Sequence, residues 1–303
     1  MIGFDSIGKM GRLGNQMFQH AAVKGIARKK GYTYCIPPRD PSQQIDNYGL
    51  LDAFEMKNVD AIKYCWNYIP AQERFFHYDE ELMDICPDGV DVAGFYQSEK
   101  YFKHCEDELR EDYTFKDNWL DPAKDFMKQF EGKEVAFLHV RRGDPNLTDK
   151  RGFKWAYVNL EDQHPTQPIE YYEKALTYLP EEMPILVFSD SIEWVKEQPF
   201  FQRDRFMFSE PEDKHDDGAL VPYMDLCLMS LCQHAIIANS SMSWWGAWLQ
   251  TNPDKKVIAP KMWFGSAYQF HDTKDLYCPN WTCLLYTSPS PRDRTRSRMP
   301  SSA

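Results

Sequence analysis

Val135-Ala-Phe-Leu-His139-Val140 runs directly into Arg141-Arg142-Gly143-Asp144. The first stretch is apolar apart from one histidine and too short for a typical helix, so it predicts a strand buried on both faces. The second stretch is polar and charged. The same punctuation recurs downstream. Pro184-Ile-Leu-Val-Phe188 ends in Ser189-Asp190, and His234-Ala-Ile-Ile-Ala238 ends in Asn239-Ser240-Ser241-Met242-Ser243. A fourth run, Lys256-Val-Ile-Ala-Pro260, follows.

Helical patterns separate these runs at Ile169 to Leu179, Pro222 to Leu231 and Met242 to Gln250. Pro168 and Pro222 are placed for first helical turns. Apolar strands alternating with helices predict an α/β fold with a parallel sheet covered on both faces. The first half is less regular. It reads as a helix from Asn15 to Lys30, strands at Tyr32 to Ile36 and Val90 to Gln97, a helix at Glu99 to Asp112, and a helix and turn over Asp117 to Gly132. The expected division is 1–132, 133–283 and a tail, 284–303. The tail carries four arginines, Arg292, Arg294, Arg296 and Arg298, against Asp293. Its composition predicts disorder. Cys283 to Asp293 also resembles one reading frame of a sequencing-library adapter, so the tail is expected to be non-native.

The 303 residues are 43% hydrophobic and 27% charged, a balance ordinary for a soluble globular protein. A formal net charge of -11 disfavours nucleic acid and anionic lipid as partners. No run approaches the ~20 apolar residues of a membrane span. Met1 to Met10 lacks a signal-peptide core. The eight cysteines form no Cys-x-x-Cys pair and are expected to be reduced. A cytoplasmic location, with at most peripheral membrane contact, follows as the expectation.

In open parallel sheets, ligands bind at the carboxyl ends of the strands. Three polar clusters gather at that edge here. Arg141 and Arg142 offer forked cations suited to phosphate oxygens. Ser240, Ser241 and Ser243 flank a helix N-terminus, where free N–H groups favour an anion. Capping of the helix is the alternative use of Ser240 or Ser241. Gly11-Arg12-Leu13-Gly14-Asn15-Gln16 adds a glycine turn before a helix. Neither the dinucleotide fingerprint nor the phosphate loop is present. No Asp-x-Asp triplet exists to hold a metal. The acidic stretch Glu212 to Asp217 reads as a solvated loop. No metal or cofactor is therefore expected, and cationic side chains would stabilise a leaving diphosphate.

Gly11-Arg-Leu-Gly-Asn-Gln-Met-Phe-Gln19, Gly94-Phe-Tyr-Gln-Ser-Glu-Lys-Tyr-Phe102, His139-Val-Arg-Arg-Gly-Asp144, Phe188 to Lys196 and Met229 to Trp248 together resemble the alpha-1,2-fucosyltransferases of glycosyltransferase family 11. The likeness runs from Met1 to about Thr282. It implies a GT-B arrangement of two Rossmann-like domains facing a cleft, a GDP-fucose donor, a galactose-containing glycan acceptor and inversion at the sugar. It also implies residue roles: His139 and Asp190 at the guanosine, Arg141 at the diphosphate, and Ser240 and Ser241 near the phosphates. Arg142, Asn239 and Ser243 complete the donor-binding set. The Gly-Arg-x-Gly-Asn motif is similar to that of protein O-fucosyltransferases and puts Arg12 and Asn15 by the fucose and leaving group. His20 stands where relatives often have tyrosine, and is expected to alter packing. Asp144 is either a general base or a brace for the arginines, and both readings stay open. A protein acceptor, or a catalytically inactive sugar-nucleotide binder, are the competing functions.

Overall fold

The computed structural model describes residues 1–38, 48–57, 59–62, 70–146, 148, 154, 156–210 and 221–285. The acidic stretch Glu212 to Asp217 and residues 286–303 of the expected tail lie outside the described residues.

The first half comprises β1 (Ile2–Gly3), α1 (Leu13–Lys30), β2 (Tyr34–Ile36), α2 (Leu50–Ala53), β3 (Asp60–Ala61), β4 (Ala71–Gln72), α3 (Glu80–Ile85), β5 (Val92–Ala93), α4 (Glu106–Asp112) and α5 (Asp117–Met127). β1, β2 and β3 form one parallel sheet and β4 and β5 a parallel pair. A parallel bridge from Gly3 to Asp91 joins the two. The strand expected over Val90 to Gln97 shrinks to Val92–Ala93. Beyond it the backbone turns, with φ of +144° at Gly94 and +54° at Tyr96. The helix expected from Glu99 begins as two 3-10 turns and becomes α-helical only at Glu106.

α1 is buried from Leu13 to Ala27 except for Asn15, although its sequence is rich in polar residues. Its buried polar groups are therefore paired. Lys24 meets Asp112 at 2.5 Å, with both side chains fully buried. His20 lies 2.9 Å from the Tyr113 hydroxyl and 3.3 Å from that of Tyr34. Burial, with Lys24 adding to it, pushes His20 down to about 3, so it is a neutral packing group, as its place in the sequence suggested. Gly31, at φ +69°, ends the helix in the left-handed conformation.

The second half contains β6 (Ala136–Val140), α6 (Ile169–Leu176), β7 (Ile185–Ser189), α7 (Ile192–Glu197), β8 (Phe206–Phe208), α8 (Tyr223–Leu231), β9 (His234–Ile236), α9 (Ser241–Leu249), β10 (Val257–Pro260) and β11 (Thr282–Leu284). All six strands are parallel, in the order β11-β10-β9-β6-β7-β8. The four expected strands are present. The edge strands β8 and β11 were not anticipated. β11 corrects the tail's start: Leu284 pairs with Pro260 and packs on the sheet's core, so the packed chain extends past 283.

One apolar core links the halves. Phe18 of α1 lies 4.6 Å from Trp244 and 4.9 Å from Trp245 of α9, and Phe102 stacks on Trp245 at 5.3 Å. Six of the seven described cysteines are buried and all seven are free. No described helix is long and apolar enough to cross a membrane.

Candidate active site

The register Leu138 to Ile236 between β6 and β9, carried on by three residues, brings Arg141 level with Asn239. The loops after adjacent strands thus meet at one sheet edge. Arg141 Nη1 lies 2.6 Å from Asp190 Oδ2, the carboxylate that follows β7. Its guanidinium also stacks over the Tyr157 ring at 4.9 Å, while the Tyr157 hydroxyl donates to the Asn239 carbonyl at 3.4 Å. Asp190 Oδ1 accepts the backbone N–H groups of Arg142 and Gly143, each at 2.9 Å. Burial pushes the pKa of Asp190 up, but Arg141 and the two N–H groups outweigh it and hold the carboxyl below its ordinary value. Asp190 therefore stays ionised and fixes the arginine loop. Arg142 points elsewhere, over the Trp194 ring at 4.2 Å.

His139 is 4% exposed, and its Nδ1 is buried with no hydrogen-bond partner. Burial, aided by Arg141 and opposed by Asp190, pushes it down to about 4. A neutral imidazole with an unused nitrogen therefore stands near the end of β6, where a ligand could satisfy it.

The second component is a close approach of two helix N-termini. A Cβ on Gly14, in the first turn of α1, would sit 2.6 Å from the Met242 backbone nitrogen and 2.6 Å from Ser241 Oγ. Only glycine lets α1 touch the start of α9 there. Ser240 is the N-cap residue of α9 in extended conformation, but its hydroxyl makes no capping bond. The first-turn N–H groups of α9 thus receive no cap from the Ser240 side chain, and a helix start of this kind favours an anion. Gly11, at φ +82°, gives the chain the turn that folds it over Asn15. Asn15 Oδ1 accepts from Gln97 Nε2 at 2.8 Å, and Arg12 is exposed at the N-cap of α1.

Gln97 follows the turned segment Gly94 to Tyr96. That segment is held by Glu73, whose two carboxyl oxygens accept the Phe95 and Tyr96 N–H groups at 2.8 Å each. Burial pushes Glu73 up to about 7 despite those two bonds.

Other expected site residues have structural partners. The Asn239 amide donates to the Pro165 and Trp263 carbonyls at 3.0 and 3.1 Å, bracing the loop. Ser243 is fully buried and donates to the Ser240 carbonyl at 3.2 Å. Asp144 is exposed and accepts the Asn146 N–H at 2.8 Å. The arginine brace is Asp190, and Asp144 closes its own turn. Tyr157, Gln97 and Glu73 were not singled out in the sequence; only Gln97 fell in a quoted motif. No three potential metal ligands cluster among the described residues.

Residues 2–285 match the profile of glycosyl transferase family 11. The chain belongs to that family. Among the family's relatives, the alpha-1,2-colitosyltransferase of Escherichia coli is 32% identical, over 84% of this chain and 90% of that protein. The O-antigen biosynthesis glycosyltransferase WbnK of Escherichia coli is 26% identical, over 84% of this chain and 93% of its own length. Galactoside alpha-(1,2)-fucosyltransferase 1 of Homo sapiens is 23% identical, over 79% of this chain and 63% of that protein. In three dimensions the family 11 chain is similar to the fucosyltransferase NodZ from Bradyrhizobium, with a TM-score of 0.52, 14% identity, and 82% and 93% of the two chains covered. That likeness concerns the fold, which is GT-B-like and α/β.

Proposed function

We propose that this family 11 glycosyltransferase moves L-fucose from GDP-fucose to a hydroxyl of a galactoside, forming an alpha-1,2 linkage with inversion and without a metal. The observation that carries this reading is the Asp190-held Arg141, set at the sheet edge that also bears the start of α9.

The diphosphate would lie between Arg141 and the first-turn N–H groups of α9, with His139 offering its unused nitrogen to the base. The α1 start, packed on α9 through Gly14, would put Asn15 and Arg12 toward the sugar. The acceptor oxygen attacks the anomeric carbon as its bond to the phosphate oxygen breaks. The bond's electron pair leaves with GDP. Negative charge grows on the bridging oxygen, so a forked cation aimed there is stronger in the transition state than in the ground state. The acceptor proton passes to water or to a carboxylate, with Asp144 one motif candidate. A β-linked donor and an α product require one displacement and no covalent enzyme intermediate.

The 32% identity with a colitosyltransferase favours one second reading, a colitose-bearing donor. Incubation with GDP-fucose and lactose, followed by chromatography of GDP and proton NMR of the product, tests the assignment. An α-fucosylated galactose is expected. GDP release only with the colitosyl donor would transfer the assignment to that sugar, and transfer only to a peptide would replace the acceptor class.

A further inference from the structure

A row of aromatic rings leads away from the arginine site. It starts at Tyr157, on which Arg141 stacks. His164 stacks on Tyr157 at 4.9 Å and 17°. Phe264 follows at 5.8 Å from His164, and His271 at 5.3 Å from Phe264. Phe270 lies 4.5 Å from His271. The first half contributes Phe76, 4.8 Å from Phe264 and 5.6 Å from His271. The row thus crosses from the donor side of the chain to the other half.

Phe76 and Phe264 rest on the main apolar core, and the row lies at its surface. All but Phe270 are half-buried, and Phe270 is 73% exposed. Burial, with Arg141 adding to it, lowers His164, and burial lowers His271, so both imidazoles are neutral near pH 7. No cation lies in the row itself beyond the Arg141 end. A pyranose ring has a face of C–H groups and a rim of hydroxyls. Partly exposed rings and neutral imidazoles at the surface of the core fit both features. The row also begins at Tyr157, on which Arg141, the proposed diphosphate partner, stacks, and an acceptor must end beside that donor.

We propose that this row is the acceptor track, along which a neutral oligosaccharide lies with its reacting galactoside toward Tyr157 and its distal sugars toward Phe270. The inference rests on the fucosyltransfer reading and extends it to acceptor length: a tetrasaccharide reaches more of the row than a disaccharide.

Two measurements separate failure of the track from failure of that reading. Initial rates with GDP-fucose and either lactose or a galactose-terminated tetrasaccharide give acceptor and donor KM. Calorimetric titration of the tetrasaccharide into the GDP-saturated protein reads the track without turnover. Phe270 is exposed, so Phe270→Ala should fold. It should raise the tetrasaccharide KM and Kd about 2- to 10-fold, the range for one ring contact. Lactose KM and GDP-fucose KM should stay unchanged. Tyr178→Ala, an exposed ring beyond α6 toward the opposite edge of the sheet, should change none of these values. An unchanged tetrasaccharide Kd, or an equal rise in donor KM, would overturn the track. So would a Phe270-sensitive peptide acceptor in place of a glycan. A wild type that binds the tetrasaccharide through Phe270 but transfers no fucose would keep the track and remove the donor assignment.

Discussion

Gly14→Ala tests the packing that brings α1 to α9. The added Cβ would sit 2.6 Å from the backbone nitrogen of Met242, 2.6 Å from Ser241 Oγ and 2.7 Å from the Ser241 carbonyl carbon, where ordinary contact begins at 3.4 Å. The serine hydroxyl can rotate away, but the backbone cannot. The two helix starts must therefore separate by about 0.8 Å. Overpacking of this kind costs about 1–3 kcal/mol. A shift approaching 1 Å at reacting groups costs up to ~100-fold in rate. The expected variant is folded, melts a few degrees lower, and turns over about 10- to 100-fold more slowly with GDP-fucose and lactose. Gly25→Ala is the comparator. Its Cβ would fall 1.9 Å from the Tyr101 carbonyl oxygen, in the middle of α1. It should lose at least as much stability while the surviving folded protein keeps more of its turnover. Calorimetric melts and initial rates, corrected for folded fraction, read both. A folded Gly14→Ala protein with near-normal turnover would refute the idea that the two helix starts must touch.

Three further outcomes are expected. His139 is pushed down to about 4 from 6.5, so the unfolded chain binds its proton first, and stability present above about pH 6.5 is lost as pH falls toward 4. Between pH 7.5 and 5, wild type should lose roughly 2 kcal/mol more than His139→Gln in urea melts, and parallel losses would remove the histidine's role. Transfer should survive EDTA, since the proposed site meets the diphosphate with Arg141 and helix N–H groups; loss restored by manganese would contradict this. Deleting residues 286–303 leaves β11 intact and should change neither melting temperature nor transfer rate, whereas a marked fall in either would make that segment part of the working protein.

The second sheet was legible because β6, β7, β9 and β10 are interior strands, buried along their length. The edge strands were not. Phe206–Phe208 follows Arg203-Asp204-Arg205 and is only partly buried, and Thr282–Leu284 has mixed burial and no apolar run. In the first half β1, β3, β4 and β5 have two residues each, too few to carry a period. Their pairing depends on distant segments that sequence spacing does not show. Arg141, Asp190 and the serine cluster were readable as residues that end strands. Their division of labour was not. Asp190 was matched to a nucleoside, and the structure adds that it holds Arg141 and its loop. Tyr157 lies in an irregular stretch with no periodic signal, and Glu73 reaches Phe95 and Tyr96 across 22 and 23 residues.

The most direct measurement is turnover of Arg141→Ala with saturating GDP-fucose and lactose, alongside circular dichroism and GDP titration. The forked cation is proposed to act on charge that develops as GDP leaves. A folded variant should therefore lose ~100-fold or more in kcat, and Arg141→Lys should recover only part of it, because a point charge lacks two parallel donors. Removing the guanidinium also leaves Asp190 without its 2.6 Å partner, so some loosening of the loop is expected in the GDP titration. A folded Arg141→Ala protein that transfers fucose at a near-normal rate would contradict the proposed chemistry at its centre.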